Sequence, residues 1–194
     1  MSFEDIPGAL DAVKAFEEAE AALKDFEHRY HRDLLVPAVN QLRYAGKHLT
    51  RIIAAIGDPG EEVRDAVKHC KRSMYDLHEL EVIFLAEVFE RFQSDYALIV
   101  ISDEILPGYN QIVQNFDEAI DFIGAIQDSS REDYYQKCAV HVKTLRASYK
   151  TVKAARHPLN ALMLQERKKA KQSQLMFIGT VAAVCSAIFA LLAI

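Results

Sequence analysis

Apolar residues return every three or four positions along most of this chain, the spacing of one face of an α-helix. Val13, Phe16, Ala19, Leu23 and Phe26 form such a stripe within 9–34 and predict a first helix. Pro37, suited to a first helical turn, opens a second, in which Ala38, Leu42, Ala45, Leu49, Ile52, Ile53 and Ile56 mark the apolar face until GDPG at 57–60 stops it. Pro59 begins a third, with Val63, Val67, Cys70, Met74, Leu77, Leu80 and Phe84 in line and a continuation toward Phe92. SDYALIVISDEIL, 94–106, fits either a strand or a short helix; a lone strand has no partner, so a helix capped by Ser94 is expected. After Pro107 and Gly108, Ile112, Val113, Phe116, Ile120, Ile123 and Ile126 predict a further helix. DSSRED, 128–133, supplies capping hydroxyls and first-turn acids for the next, with Tyr134, Cys138, His141, Leu145, Tyr149 and Val152 on its stripe. Pro158 is expected to kink the path into a last helix over 159–194. All inferred connections are short, which predicts an all-α, antiparallel helical bundle.

The pattern changes at the carboxyl end. LMFIGTVAAVCSAIFALLAI, 175–194, has no charge over twenty residues, and at ~1.5 Å per residue it reaches ~30 Å, the thickness of a bilayer's hydrocarbon. A single C-terminal transmembrane helix is therefore expected. The adjoining ERKKAKQSQ carries Arg167, Lys168, Lys169 and Lys171, and cations beside a span favour the cytoplasmic side. They also suit contact with anionic headgroups. MSFEDIPGAL lacks the basic and apolar segments of a signal peptide. The expected organisation is a cytoplasmic helical-bundle domain over 1–158, a basic juxtamembrane helix over 159–174 and a tail anchor over 175–194. Gly179, Ala183, Ala187 and Ala190 form a small-residue stripe on which such spans would self-associate, making a homo-oligomer.

Composition narrows the class. A chain of 194 residues, half of them hydrophobic, with twelve Gly and Pro together and no Trp, holds one cored domain and an appendage and leaves little room for disorder. The formal charge is −5, divided as +3 over 159–174 and −8 over 1–158, unlike the basic face of a nucleic-acid-binding domain. Cys70, Cys138 and Cys185 are far apart and form no CxxC pair, and Cys138 with His141 is half a ligand set at best. Neither a structural zinc nor any other cofactor is expected. Seven glycines without a phosphate-cradling cluster exclude a P-loop, and no HExxH, GxGxxG or nucleophile elbow occurs.

Two stretches hold polar groups that could do chemistry. QLRYAGKHL, 41–49, has Arg43 and His48 in R-x4-H spacing, with Arg72 and His78 a second pair of similar spacing. Shuffling this composition gives roughly 1.2 matches to R-x4-6-H, and three occur. In its helical character and this motif the chain resembles the HEPN ribonucleases, with Tyr44 where that family commonly has a polar residue after the arginine. The resemblance implies metal-independent RNA cleavage, with Arg and His meeting across a dimer. Five residues at ~100° each place Arg43 and His48 ~140° apart around their helix, so a composite site needs other helices or a second chain. RDAVKHCKRSMYDLHELE, 64–81, aligns Asp65, His69, Arg72, Asp76 and Glu79 along one stripe. There His69, Arg72 and Asp76 could hold a phosphate-bearing ligand, or the stripe is a solvated face of ion pairs. The favoured expectation is a non-enzymatic interaction or sensing module, tail-anchored and oligomeric, answering a protein or small-ligand signal and acting on the lipid bilayer. RNA is a partner only under the ribonuclease alternative.

Overall fold

A computed structural model of the chain describes residues 3–31, 36–124 and 131–192, without the side chains of 131, 132, 184 and 186–192. It is a bundle of helices, with no strand among the described residues. A 3-10 turn, Phe3–Asp5, leads into α1, Ala9–Tyr30; then come α2, Val36–Ile53; α3, Pro59–Asp95; α4, Tyr109–Gly124; and α5, Arg131–Leu192. The apolar stripes explain these elements. Helix α1 buries Ala9, Ala12, Ala19, Leu23, Phe26 and Tyr30, and ends where His31 turns left-handed at φ 50°. Helix α2 carries Pro37 in its first turn and buries Ala38, Leu42, Ala45 and Ile52. Asp58 starts α3 by accepting a hydrogen bond from the Glu61 amide at 2.8 Å, satisfying a donor the helix cannot.

The chain forms two compact units, one of residues 1–87 with 115–146, the other of 88–114 with 147–194. In the first, Ile6, Ala9, Ala12, Ile52, Val63 and Ala66 make one buried cluster, whose alanines let backbones approach closely. Phe26, Tyr30 and Phe84 pack ring on ring, with centroids 4.9–5.9 Å apart. Beside them Glu81, 0% exposed, receives the Tyr30 hydroxyl at 2.7 Å and a fork from Arg146, Nε at 2.5 Å and Nη2 at 2.7 Å. Cys70 and Cys138 are buried, which pushes both thiols up to about 11, whereas Cys185 is exposed.

In the second unit Phe89, Phe92, Tyr96, Leu106, Ile112, Val152, Leu159 and Met163 are buried. The Tyr96 hydroxyl donates to Asn160 Oδ1 at 2.8 Å and to the Arg156 carbonyl at 3.3 Å, and Arg156 pairs with Asp95 at 3.2 Å.

Three expectations need correction. The stretch 94–106 is not a helix: Ser94 and Asp95 complete α3, and 96–108 is a run of turns. Tyr96, turned inward to Asn160, fixes this departure, and Val100 stands 87% exposed, so ALIVIS has no face to bury. No separate helix begins at 159; α5 runs through Pro158. Val152, Ala155, Leu159 and Met163 keep one buried stripe on both sides of the proline, and that packing outweighs the roughly 3 kcal/mol a helical proline costs.

The third correction concerns the carboxyl end. Among the described residues no helix is long and apolar enough to cross a membrane, which overturns the expected C-terminal transmembrane helix and the tail anchor built on it. Residues 175–192 are the end of α5. The turns before it are charged, with Glu166, Arg167, Lys168, Lys169 and Lys171 all in the same helix. A methyl group at Gly179 would meet nothing within 4 Å among the described residues and Ala183 is exposed; Ala187 and Ala190 lie outside the described side chains. Capping hydroxyls expected at 128–130, and Ile126, also lie outside the described residues.

Candidate functional site

Polar chemistry concentrates where α2 meets the first half of α3, within the first unit. Helix α2 ends through Ala55 at φ 50° and Gly57 at φ 83°. A side chain at Gly57 would come within 2.8 Å of Glu62 Oε1 and 3.2 Å of Arg51 Nη2, so the turn needs glycine for space as well as conformation. That turn brings Glu62 back to α2. Its carboxylate accepts from His48 Nδ1 at 2.6 Å and from Arg51 Nε at 2.8 Å. Those two hydrogen bonds hold the carboxyl below its ordinary range. His48 stacks on His69, centroids 5.4 Å apart and planes 17° from parallel, and His69 donates Nδ1–H to Gln41 Oε1 at 2.7 Å. Tyr44 covers His69 from 5.4 Å. Gln41, Tyr44, His48 and Arg51 are thus fastened to Glu62 and His69, a polar latch joining two helices with no nucleophile in its contacts.

One turn along α3 the character changes. Arg64, Val67, Lys68, Lys71, Arg72 and Tyr75, with Tyr135 from α5, line an open cavity of about 520 Å³. The tyrosine rings stack at 3.9 Å between centroids and 4° between planes. Arg64, Lys68, Lys71 and Tyr75 follow one another at spacings of four, three and four, which puts them on one helix face. Among the described residues the lining has four cations and no carboxylate, in a chain of net charge −5. Glu61 reaches Arg64 only at 4.0 Å, with both side chains largely in solvent. His69 feels this field: burial first, then His48 and, more weakly, Lys68 and Arg72 hold its imidazole below the ordinary value, against Asp65.

The residues singled out from sequence are distributed among these environments. Arg43 is exposed, bonds Asn40 Oδ1 at 3.3 Å and borders a separate cavity of about 350 Å³ with Phe16, Leu23 and Leu42, whereas His48 belongs to the latch. The R-x4-H pair is not brought together within the chain, as the ~140° between its members requires. Arg72 lines the groove, while His78 is half-buried, its imidazole pushed down by burial against the pull of Glu81. Of the trio His69, Arg72 and Asp76, only Arg72 lines the groove; Asp76 is half-buried, and burial raises its carboxyl. Lys169 pairs with Glu166 at 2.7 Å, Arg167 borders a cavity of the second unit with Tyr96 and Asn160, and Lys168 and Lys171 are exposed. Sequence reasoning passed over Lys68, Lys71, Tyr75 and Tyr135, and it also missed Glu81, whose place four residues after Leu77 on an apolar stripe was the available signal.

The buried imidazoles set a pH dependence. His69, His78 and His141 are all held below 6.5, by burial in each case. The unfolded chain therefore takes up protons from about pH 6.5 downward before the folded chain does, and stability falls as the pH drops below that point. The depressed Glu62 carboxyl adds to the loss at carboxylate pH, where the raised Asp76 opposes it. Thermal melts should give a lower Tm at pH 5.5 than at pH 7.5; an unchanged Tm contradicts the burial of these rings.

No family model matches the chain, and comparison with curated proteins and with solved structures finds no match.

Proposed function

We propose that this chain is an interaction or sensing module whose ligand is anionic and seats in the groove of Arg64, Lys68, Lys71 and Arg72. The observation behind this reading is the composition of that lining: among the described residues, four cations and no acid, gathered on an acidic chain. Arginine offers a fork that fits phosphate or carboxylate oxygens, and lysine adds a mobile point charge. Their aliphatic stems supply apolar walls while the charged heads stay wet. No group in the described lining is a nucleophile held by a base, so the groove suits recognition better than turnover. Nothing among the described residues favours the ribonuclease reading, since Arg43 and His48 lie in different surroundings.

Calorimetric titration of the full chain with inorganic tripolyphosphate, at low and at physiological salt, tests this. Binding is expected, weaker at high salt, and Lys68→Glu with Lys71→Glu should reduce it at least tenfold, because a charge-assisted hydrogen bond is worth roughly 1.5–3 kcal/mol. Both lysines are exposed, so the fold should tolerate their reversal. Binding that is absent, or indifferent to the double reversal, sinks the proposal.

A further inference from the structure

The groove is not uniform along its length, and its asymmetry points to a ligand class. Arg64 and Lys68 stand at one end, Lys71 and Arg72 in the middle, and Tyr75 with Tyr135 at the other. From Arg64 to Tyr75 the helix rises ~16 Å. An inorganic polyanion would use the cations alone and leave the aromatic end idle. A cavity of about 520 Å³ is within the size range of small-molecule and cofactor sites. The stacked tyrosines, planes 4° apart, present one rigid π-system built from two helices, a surface on which a flat heterocycle gains stacking energy.

We infer that the ligand is a nucleotide, its phosphates on Arg64, Lys68, Lys71 and Arg72 and its base against the Tyr75–Tyr135 pair. The inference rests on the anion-binding reading above and adds the ring seat to it. Recognition is by charge at one end and by π-surface at the other, so bases with larger rings bind better: purine nucleotides above pyrimidine ones. The described lining stops at the tyrosines, which suits a single nucleotide.

The test uses the full chain and isothermal titration with adenosine triphosphate, inorganic tripolyphosphate, adenosine and a short single-stranded RNA. Adenosine triphosphate is expected to bind roughly tenfold or more tighter than tripolyphosphate, the increment of one stacked base, and adenosine far more weakly than either. Tyr135→Leu should abolish that advantage and leave tripolyphosphate affinity unchanged, and Tyr135→Phe should keep it, which separates loss of the ring from loss of the fold. Equal affinity for adenosine triphosphate and tripolyphosphate overturns the nucleotide inference while the anion site stands. An advantage that survives Tyr135→Leu overturns the ring seat. RNA binding tighter than adenosine triphosphate overturns the single-nucleotide ligand in favour of a polymer. Failure of every phosphate compound to bind overturns both the inference and the reading beneath it.

Discussion

An Arg146→Met chain is expected to unfold at markedly lower urea than the parent, with a loss of about 3–5 kcal/mol. Methionine keeps much of the packed stem, so the change removes mainly charge and hydrogen bonds. What it leaves behind is Glu81, 0% exposed, whose carboxylate loses both contacts of its guanidinium fork and keeps the Tyr30 hydroxyl at 2.7 Å. The hydrogen bond from Arg146 to Glu81 raises the guanidinium's pKa against the cost of its burial, and burial together with Glu81 pushes the Tyr30 phenol up; the three groups work as a unit. A buried charge without its partner is the costly state, and an apolar replacement of both partners is much less so. Glu81→Leu added to Arg146→Met should therefore recover part of the lost stability. A single variant that loses less than about 1 kcal/mol, or a double variant worse than the single, contradicts the coupling.

Phe92→Ala is expected to cost the second unit about 3–5 kcal/mol, the range for emptying a fully buried aromatic site. Phe92 is 0% exposed and touches Tyr96 and Phe89 at centroid distances of 5.0 and 6.0 Å, with the Arg156 guanidinium 5.9 Å from the ring centre. The ring supports the contacts that end α3, since Tyr96 must stay packed for its hydroxyl to reach Asn160 and Arg156. Val100→Ala is the control: at 87% exposure it should change stability by no more than ~0.5 kcal/mol. Urea midpoints for the two variants test the contrast, and similar losses would contradict it.

Periodicity made most helices legible because it records local physics. The stripes of α1, α2, α3 and α4 recur at helical spacing, and Pro37, GDPG and Pro107–Gly108 mark their ends. Where the outcome depended on residues far apart in sequence, local reading failed. The turn at Tyr96 is fixed by Asn160, 64 residues away, and the helix through Pro158 by a buried stripe that continues past it. The candidate site shows the same limit. Arg72 stood out, but the cationic face of Arg64, Lys68 and Lys71 reads as a solvated stripe until Tyr135 from α5 closes a groove over it. Arg43 and His48 drew attention through spacing alone; Glu62, which decides what His48 does, is fourteen residues on and beyond a turn only Gly57 permits.

The two interior thiols turn the native chain into its own probe. Cys70 and Cys138, kept protonated and out of water, react with a maleimide only when their surroundings open, whereas Cys185 is exposed from the start. One adduct per chain forms at once, and the slow gain of a second and third is a clock for opening of the first unit. Read by intact mass with and without adenosine triphosphate, that clock would show how tightly a bound ligand holds the helices closed, without a single substitution.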